Sequence, residues 1–229
     1  MSKTIGNFWF SEINLQKLTS SEEGILGDIC KLYSESFGVW LSNESRITLS
    51  PKRFLSLHKS EIVYFVADTS GSILGFACVS TRKPNLKVIT SICVDKRSRN
   101  LGIGRSIIKY ILSQVNSGTW RIGIVSANPV ALLTLEGYPG LEYIDLEEEV
   151  KKDPSFGIHL SVFIDEFRRK SCGDNYKRAS KISYRKIQTE FYVDIPFDEI
   201  QDGLNEFYKN LMGPLEPGEE WILFCKYES

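Results

Sequence analysis

The sequence predicts an α/β fold in which strands alternate with helices along the chain. Three apolar runs between residues 62 and 94 are rich in β-branched and aromatic side chains, which is typical of strands. Isoleucine, leucine and valine recur over 107–115 at the spacing of one helix face. Because strands and amphipathic helices bury their apolar faces against each other, this mixture indicates helices packed on a central sheet.

Capping and turn signals delimit the individual elements. Ser20 and Glu23 form a capping-box pattern at the start of the first helix, and Pro51 starts a second, shorter helix. The segment 68–72 is typical of a hairpin turn, and Asn128 precedes another short helix. The predicted order is strand 8–13, helix 20–38, helix 51–57, strands 62–67, 73–79 and 88–94, a helix with its apolar face over 107–115, strand 120–126, a helix from 129, strand-like runs 157–167 and 187–195, helix 200–211 and strand 219–227.

The segment 88–115 is the most informative part of the sequence, because it is a strand, a basic turn with two glycines and a helix in direct succession. Glycines at such a turn leave the backbone amides bare, and the start of the helix adds the positive end of its dipole. The segment therefore predicts a phosphate-binding turn. A Walker loop is excluded because no Lys-Ser or Lys-Thr pair follows Gly104, and a dinucleotide fingerprint because Ile107 stands where a third small residue is required.

The pattern Arg-x-x-Gly-x-Gly over 99–104, preceded by Ile-Cys-Val-Asp over 92–95, resembles the acetyl-coenzyme A loop of the GNAT acetyltransferases. The order of elements also matches that family through about residue 138. The resemblance implies a mixed, mostly antiparallel central sheet flanked by helices. It implies a GNAT-like acetyl-coenzyme A-binding domain over 1–145 and a C-terminal extension over 146–229. That extension either supplies the last strand of the sheet or forms a second half-domain.

The resemblance also implies how acetyl-coenzyme A, as co-substrate, would be held. The loop amides would face its pyrophosphate, and the edge of the preceding strand would pair with its pantetheine amides. One amide, of Cys93 or Val94, would stabilise the oxyanion formed on attack. Asn128 either contacts the cofactor or only caps its helix. The implied cofactor-binding residues are Ile92, Cys93, Val94, Arg99, Asn100, Leu101, Gly102, Ile103, Gly104, Arg105, Ser106 and Asn128.

The catalytic positions depart from the pattern of the family. Many members carry a tyrosine in the final helix as the acid for the leaving thiolate, but Leu135 stands there, and Tyr138 is the implied substitute. Many members also carry a glutamate in the central strand that helps to take the amine proton. Thr90 stands at that position and cannot act as a base, so a carboxylate elsewhere or bulk water would have to serve.

Composition excludes several other classes of function. The net charge of -1 gives no global attraction to nucleic acid, and no apolar run approaches the roughly 20 residues that span a bilayer. The five cysteines are odd in number and widely spaced, as expected of reduced thiols in a cytoplasmic protein. Neither histidine has a metal-ligand spacing, so no metal site is predicted. His58 either lines an acceptor site or is an exposed helix residue, and His159 is expected to be structural.

These observations together predict an N-acetyltransferase that transfers the acetyl group directly from acetyl-coenzyme A to a primary amine, the acceptor being a small molecule. A protein or peptide N-acetyltransferase and a transferase for longer acyl chains are alternatives. Another is a non-catalytic acyl-coenzyme A-binding regulatory module, which the residues at positions 90 and 135 favour. The sequence carries no signal for the oligomeric state.

Overall fold

The computed structural model describes residues 3–5, 7–36, 38–40, 45–83, 85–172, 183–189, 191–192 and 199–229. Its strands are β1 (Lys3–Ile5), β2 (Phe8–Asn14), β3 (Val39–Trp40), β4 (Glu61–Asp68), β5 (Ile73–Lys83), β6 (Leu86–Val94), β7 (Thr119–Ser126), β8 (Leu141–Tyr143), β9 (Lys186–Gln188), β10 (Phe191–Tyr192) and β11 (Glu219–Glu228). Its α-helices are α1 (Glu23–Ser36), α2 (Pro51–His58), α3 (Ile103–Leu112), α4 (Pro129–Glu136), α5 (Leu146–Lys152), α6 (Pro154–Cys172) and α7 (Glu199–Met212).

One mixed sheet organises the described part of the chain. Its strand order is β1-β2-β4-β5-β6-β7-β11-β8, and β9 also pairs with β11. The pairing of β6 with β7 is parallel, whereas the other described pairings in this sheet are antiparallel. The expected fold class, a mostly antiparallel sheet flanked by helices, is therefore confirmed.

The helices cover the two faces of this sheet. The helices α3, α4 and α7 pack on one face, which we call the α3 face, in a core that includes Ile107, Leu132 and Tyr208. On the opposite face, the α1 face, α1 and α2 cover β4, β5 and β6, while α6 covers β7 and β11. Full burial of each large apolar side chain in these cores contributes about 1.5–3 kcal/mol, so these layers fix the positions of the strand ends.

The C-terminal strand lies inside the sheet rather than in a separate body. Residues Trp221 to Glu228 of β11 pair with Ser126 to Thr119 of β7, and the other edge of β11 pairs with β8. The described residues between β8 and β11 form α5, α6, β9, β10 and α7, and β11 then lies between β7 and β8 in the sheet. The strand β11 therefore lies within 146–229, the range that was expected to form a C-terminal extension.

Two local predictions were wrong. The run 157–167 is helical rather than a strand, because Phe156, Leu160, Phe163 and Ile164 bury one face of α6. The Asp153 carboxylate accepts a hydrogen bond from the Phe156 amide at 3.0 Å and starts this helix. His159 consequently lies on a helix.

The capping interaction before α1 also differs from the expected one by a residue. The Thr19 amide donates to the Glu22 carboxylate at 2.8 Å, since a short 3-10 turn, Ser20–Glu22, precedes the α-helix.

Of the predicted strand 187–195, residues 190 and 193–195 lie outside the described residues. No helix in the described ranges is both long enough and apolar enough to cross a bilayer.

Candidate active site

The central feature of the site is a gap between β6 and β7. Parallel pairing runs only from Leu86 to Ile89 on β6, opposite Arg121 to Ile124 on β7. Thr90 follows as an extra residue, because the register of β6 against β5 shifts at this point. Beyond it β6 continues to Val94 with β5 as its partner, while β7 continues along β11. The two parallel strands therefore part and leave the facing edge of β6 free.

Backbone groups of β6 line one side of this gap. The Asp95 amide donates to the Leu74 carbonyl on β5 at 2.9 Å. Because successive residues of a strand direct their amides to opposite sides, the Cys93 amide also faces β5, and those of Ile92 and Val94 face the gap. Of the two amides expected to stabilise an oxyanion, that of Val94 therefore faces the gap and that of Cys93 faces β5. A free strand edge of this kind pairs with an extended ligand that carries amides.

The turn after β6 presents unused amides at the mouth of the gap. Asn100 and Gly102 have φ angles of 62° and 75°, in the left-handed region where glycine and asparagine are favoured. The first bond of α3 runs from the Ser106 amide to the Gly102 carbonyl. The amides of Ile103, Gly104 and Arg105 precede that bond and have no acceptor within the helix. With the helix dipole they form a site suited to an anion.

The turn also leaves space next to these amides. A Cβ atom at Gly104 would lie 3.6 Å from Thr134 Cγ2 and 3.9 Å from Val94 Cγ2, which are ordinary van der Waals distances. Packing of the protein therefore does not require glycine at this position. Glycine instead keeps a side chain away from the first turn of α3, beside Thr134 and Val94. The nearby Leu101 side chain is 63% exposed.

The basic residues of the turn are exposed and have protein partners. Arg97 Nε lies 3.2 Å from the Asp95 carboxylate, and Arg99 Nε donates to the Val94 carbonyl at 3.5 Å. The Arg105 guanidinium donates to the Gly137 carbonyl at 3.0 Å and so joins α3 to the end of α4. Of these three, Arg99 lies closest to the free edge of β6.

Asn128 acts as a helix cap. Its Oδ1 accepts a hydrogen bond from the Val130 amide at 2.9 Å, and its own amide donates to Ser126 Oγ at 3.0 Å. The cap fixes the start of α4 directly after β7, on the far side of the gap.

Tyr138 lies beyond the end of α4, where its amide donates to the Leu135 carbonyl at 3.1 Å. Leu135 itself is fully buried in the core of the α3 face. Burial, and then the neighbouring Tyr227, raises the pKa of Tyr138. Tyr227 pairs with Trp120 near the start of β7, whereas the gap opens beyond Ile124. A catalytic role for Tyr138 stays a prediction.

A buried polar cluster lies on the α1 face beside Thr90. The His58 Nδ1 atom lies 2.9 Å from the Glu61 carboxylate, and the Thr90 hydroxyl donates to the same carboxylate at 2.6 Å. Lys170 Nζ lies 3.9 Å from the other carboxylate oxygen. Burial alone would raise the pKa of Glu61, but His58 and the Thr90 hydrogen bond hold it below its ordinary value. The exposed-helix interpretation of His58 was wrong, since this residue is only 6% exposed.

Cys78 belongs to the same cluster, and its sulfur lies within 4.8 Å of the ligand atoms of His58 and Glu61. Such a group could hold a metal ion. Burial raises the pKa of the Cys78 thiol well above its ordinary value, so the sulfur stays protonated without a metal. His58 and the Thr90 hydroxyl already contact the Glu61 carboxylate. These contacts explain the buried carboxylate without a metal ion.

A second carboxylate lies across the gap on the same face. Glu220 precedes Trp221 in β11 and is 9% exposed. Burial raises its pKa to about 7, although a hydrogen bond with Thr189 lowers it in part. The sequence analysis did not single out Glu220 or Glu61. Each is a carboxylate at an inward-facing position of an otherwise apolar strand. The alternation of residues along a strand could therefore have identified both from the sequence.

The cysteines are not candidates for a nucleophile. All five are free and buried. Burial raises the pKa of the Cys93 thiol, and its side chain packs in the core under α1. The thiol therefore stays protonated and packs as an apolar group.

Residues 26–128 match the family model of the acetyltransferase (GNAT) family. Similar solved structures include ribosomal-protein-S18-alanine N-acetyltransferase from Escherichia coli (10% identity, 96% of this chain and 93% of that chain covered, TM-score 0.46). Another is a GNAT family acetyltransferase from Elizabethkingia anophelis with acetyl-CoA bound (14%, 98% and 100%, 0.44). A third is a mutant of spermidine N-acetyltransferase from Vibrio cholerae (15%, 62% and 83%, 0.43). No curated protein matches the chain.

Proposed function

We propose that this chain, whose residues 26–128 match the acetyltransferase (GNAT) family model, transfers the acetyl group of acetyl-CoA directly to a primary amine of a small molecule. The observation that carries this proposal is the gap between β6 and β7, which has free amides at its mouth and polar side chains on its α1 face. The family supplies the coarser statement, that such domains are acyl-CoA-dependent transferases.

The described backbone supports a mode of binding for acetyl-CoA. The amides of Ile103, Gly104 and Arg105 would hold the pyrophosphate, and the lack of a side chain at Gly104 would let it approach them closely. The free edge of β6 would pair with the pantetheine amides. When bound, acetyl-CoA supplies the acetyl group as a thioester. The Val94 amide would then stabilise negative charge on the carbonyl oxygen during attack.

The acceptor would approach from the α1 face, opposite the helices that frame the turn. The polar side chains there are deeply buried, Glu61 at 4% and Glu220 at 9% exposure. Such deeply buried polar groups favour a small amine over a folded protein surface as the acceptor. Tyr138 is the proposed acid for the leaving thiolate. The five buried thiols, in no disulfide, support a cytoplasmic location.

One observation favours a second candidate, a non-catalytic acyl-CoA-binding module. Leu135 is fully buried, and the Thr90 hydroxyl is held by Glu61, so neither position offers the usual acid or base. A protein or peptide N-acetyltransferase is the further alternative for the acceptor.

The test combines calorimetric binding of acetyl-CoA with an assay of thiol release. Alkylamines, polyamines, amino acids and short peptides with a free N-terminus are offered as acceptors at saturating acetyl-CoA. Binding together with amine-dependent thiol release for a small amine supports the proposal. Binding without release over the whole panel supports the regulatory module, and absence of binding contradicts both.

A further inference from the structure

We propose that Glu220 is the general base of this reaction and receives the proton that the acceptor amine loses. The inference rests on the proposed acetyl transfer. In the step, the amine nitrogen forms a bond to the acetyl carbon while the carbon–sulfur bond breaks. Sulfur leaves with the electron pair as a thiolate, and the excess proton on nitrogen moves to the Glu220 carboxylate. The products are the amide, the thiolate and a protonated Glu220, so charge and atoms balance.

The register of β11 places Glu220 at the gap. Trp221 pairs with Ser126, the last residue of β7, so Glu220 stands one position beyond the end of that strand. Ile222 and Phe224, two and four residues on, pack in the core of the α1 face. Since alternate residues of a strand share a face, the Glu220 side chain also projects to the α1 face, from which the acceptor would enter.

Groups on the β6 side of the gap lie close enough to Glu220 to interact with its charge. The Tyr33 side chain, 1% exposed, forms a hydrogen bond with Ser91 on β6. Burial raises the pKa of Tyr33 well above its ordinary value, and the charge of Glu220 raises it further. An amine between β6 and β11 would therefore lie beside a carboxylate on β11 and hydroxyl groups on β6.

Glu220 is better suited to accept a proton than Glu61, the other buried carboxylate of this face. Glu61 is bound by His58, Thr90 and Lys170, and its pKa is lowered. Among the described residues, Thr189 is the hydrogen-bond partner found for Glu220, and no basic side chain pairs with it. With a pKa of about 7, about half of the Glu220 carboxylates are ionised near neutral pH, and each is basic enough to take a proton.

The test compares Glu220→Gln with Glu228→Gln, an exposed carboxylate on the same strand that pairs with Lys226. Calorimetry gives the affinity for acetyl-CoA. Thiol release from acetyl-CoA is then measured between pH 5.5 and 9 with n-propylamine, and without amine, where water is the acceptor and also needs a base. We expect Glu220→Gln to bind acetyl-CoA as the wild type does, to lose about 100-fold or more in kcat and to lose the rise of kcat near pH 7. Glu228→Gln should keep both.

The outcomes separate this inference from the proposed function. If the wild type does not bind acetyl-CoA, the proposed function fails. If the wild type binds it and releases thiol, but Glu220→Gln keeps the rate and the pH profile, only the role of Glu220 is overturned. A wild type that binds acetyl-CoA yet releases thiol no faster than the solution reaction, with water and with n-propylamine, also overturns that role. Weaker binding of acetyl-CoA by Glu220→Gln would likewise contradict it, because the base lies on the opposite face from the turn.

Discussion

Replacing Glu220 by glutamine should stabilise the protein above neutral pH, because the substitution removes a charge that folding buries. The pKa of Glu220 rises from an ordinary 4.5 to about 7 in the folded protein. The unfolded chain therefore loses this proton at a lower pH than the folded chain does. As pH rises from about 4.5 through about 7, ionisation increasingly favours the unfolded chain, and stability falls.

The size of the effect follows from the two pKa values. Each tenfold change in proton affinity is worth about 1.4 kcal/mol, so the rise from 4.5 to about 7 corresponds to about 3 kcal/mol. Between pH 4.5 and pH 8, the free energy of unfolding of Glu220→Gln should therefore increase relative to that of the wild type by about 3 kcal/mol. Glutamine keeps the size of the side chain and its hydrogen bond with Thr189, so little else changes.

Urea denaturation of both proteins at pH 4.5 and pH 8 measures how much the difference in their free energies of unfolding changes with pH. Glu228→Gln serves as the control, because its exposed carboxylate should leave the comparison with wild type unchanged above pH 4.5. If Glu220→Gln and the wild type change in parallel over this range, Glu220 has a cationic partner or is solvated when folded. Glu220 would then lack the raised pKa that suits it to act as a base.

Three further substitutions test other parts of the structure. Gly102→Ala should lower the free energy of unfolding by about 1–2 kcal/mol in urea titrations, because residue 102 has a φ of 75°. Glu61→Gln should lower it by about 1–3 kcal/mol at pH 7, because the charge that pairs with His58 is lost. Since the pKa of Glu61 is lowered, the wild type should lose this advantage as pH falls below 4.5. Tyr138→Phe should reduce kcat in thiol release about 100-fold and leave the affinity for acetyl-CoA unchanged.

Each of these expectations has a contrary result. Unchanged stability of Gly102→Ala would mean that the turn adopts another conformation. A Glu61→Gln variant whose stability matches the wild type at every pH would mean that the charge of Glu61 does not stabilise the fold. An unchanged kcat for Tyr138→Phe would identify Tyr138 as a packing residue beside Tyr227.

The elements that were predicted correctly are those specified by local sequence patterns. The succession of β6, the glycine turn and α3 is specified within 88–115, because strand formers, positive-φ residues and a helical repeat follow one another there. The final strand was predictable for the same reason. The helix α6 was misread because its β-branched and aromatic residues favour strands, although Phe156, Leu160 and Phe163 recur at helical spacing.

The polar groups of the α1 face depend on contacts that no local pattern reveals. Glu61 and Thr90 are 29 residues apart in the chain and meet because β5 lies between their strands. Glu220 reaches the gap only because β11 pairs with β7 after a long excursion of the chain. Sequence alone showed that the usual base was missing at residue 90, but the register of the sheet was needed to find a replacement.

The binding of acetyl-CoA by the wild type and by Gly104→Leu tests the central claim most directly. The control is Gly24→Leu, which makes the same change in the first turn of α1, where a Cβ meets no neighbour. Acetyl-CoA at 100 times its Kd should stabilise the wild type and Gly24→Leu by about 2.7 kcal/mol and raise their Tm by roughly 5–10 °C. Gly104→Leu should fold and show no shift, and NAD should shift none of the three proteins. An equal shift in Gly104→Leu, or none in the wild type, would contradict the assignment of the turn as the acetyl-CoA site.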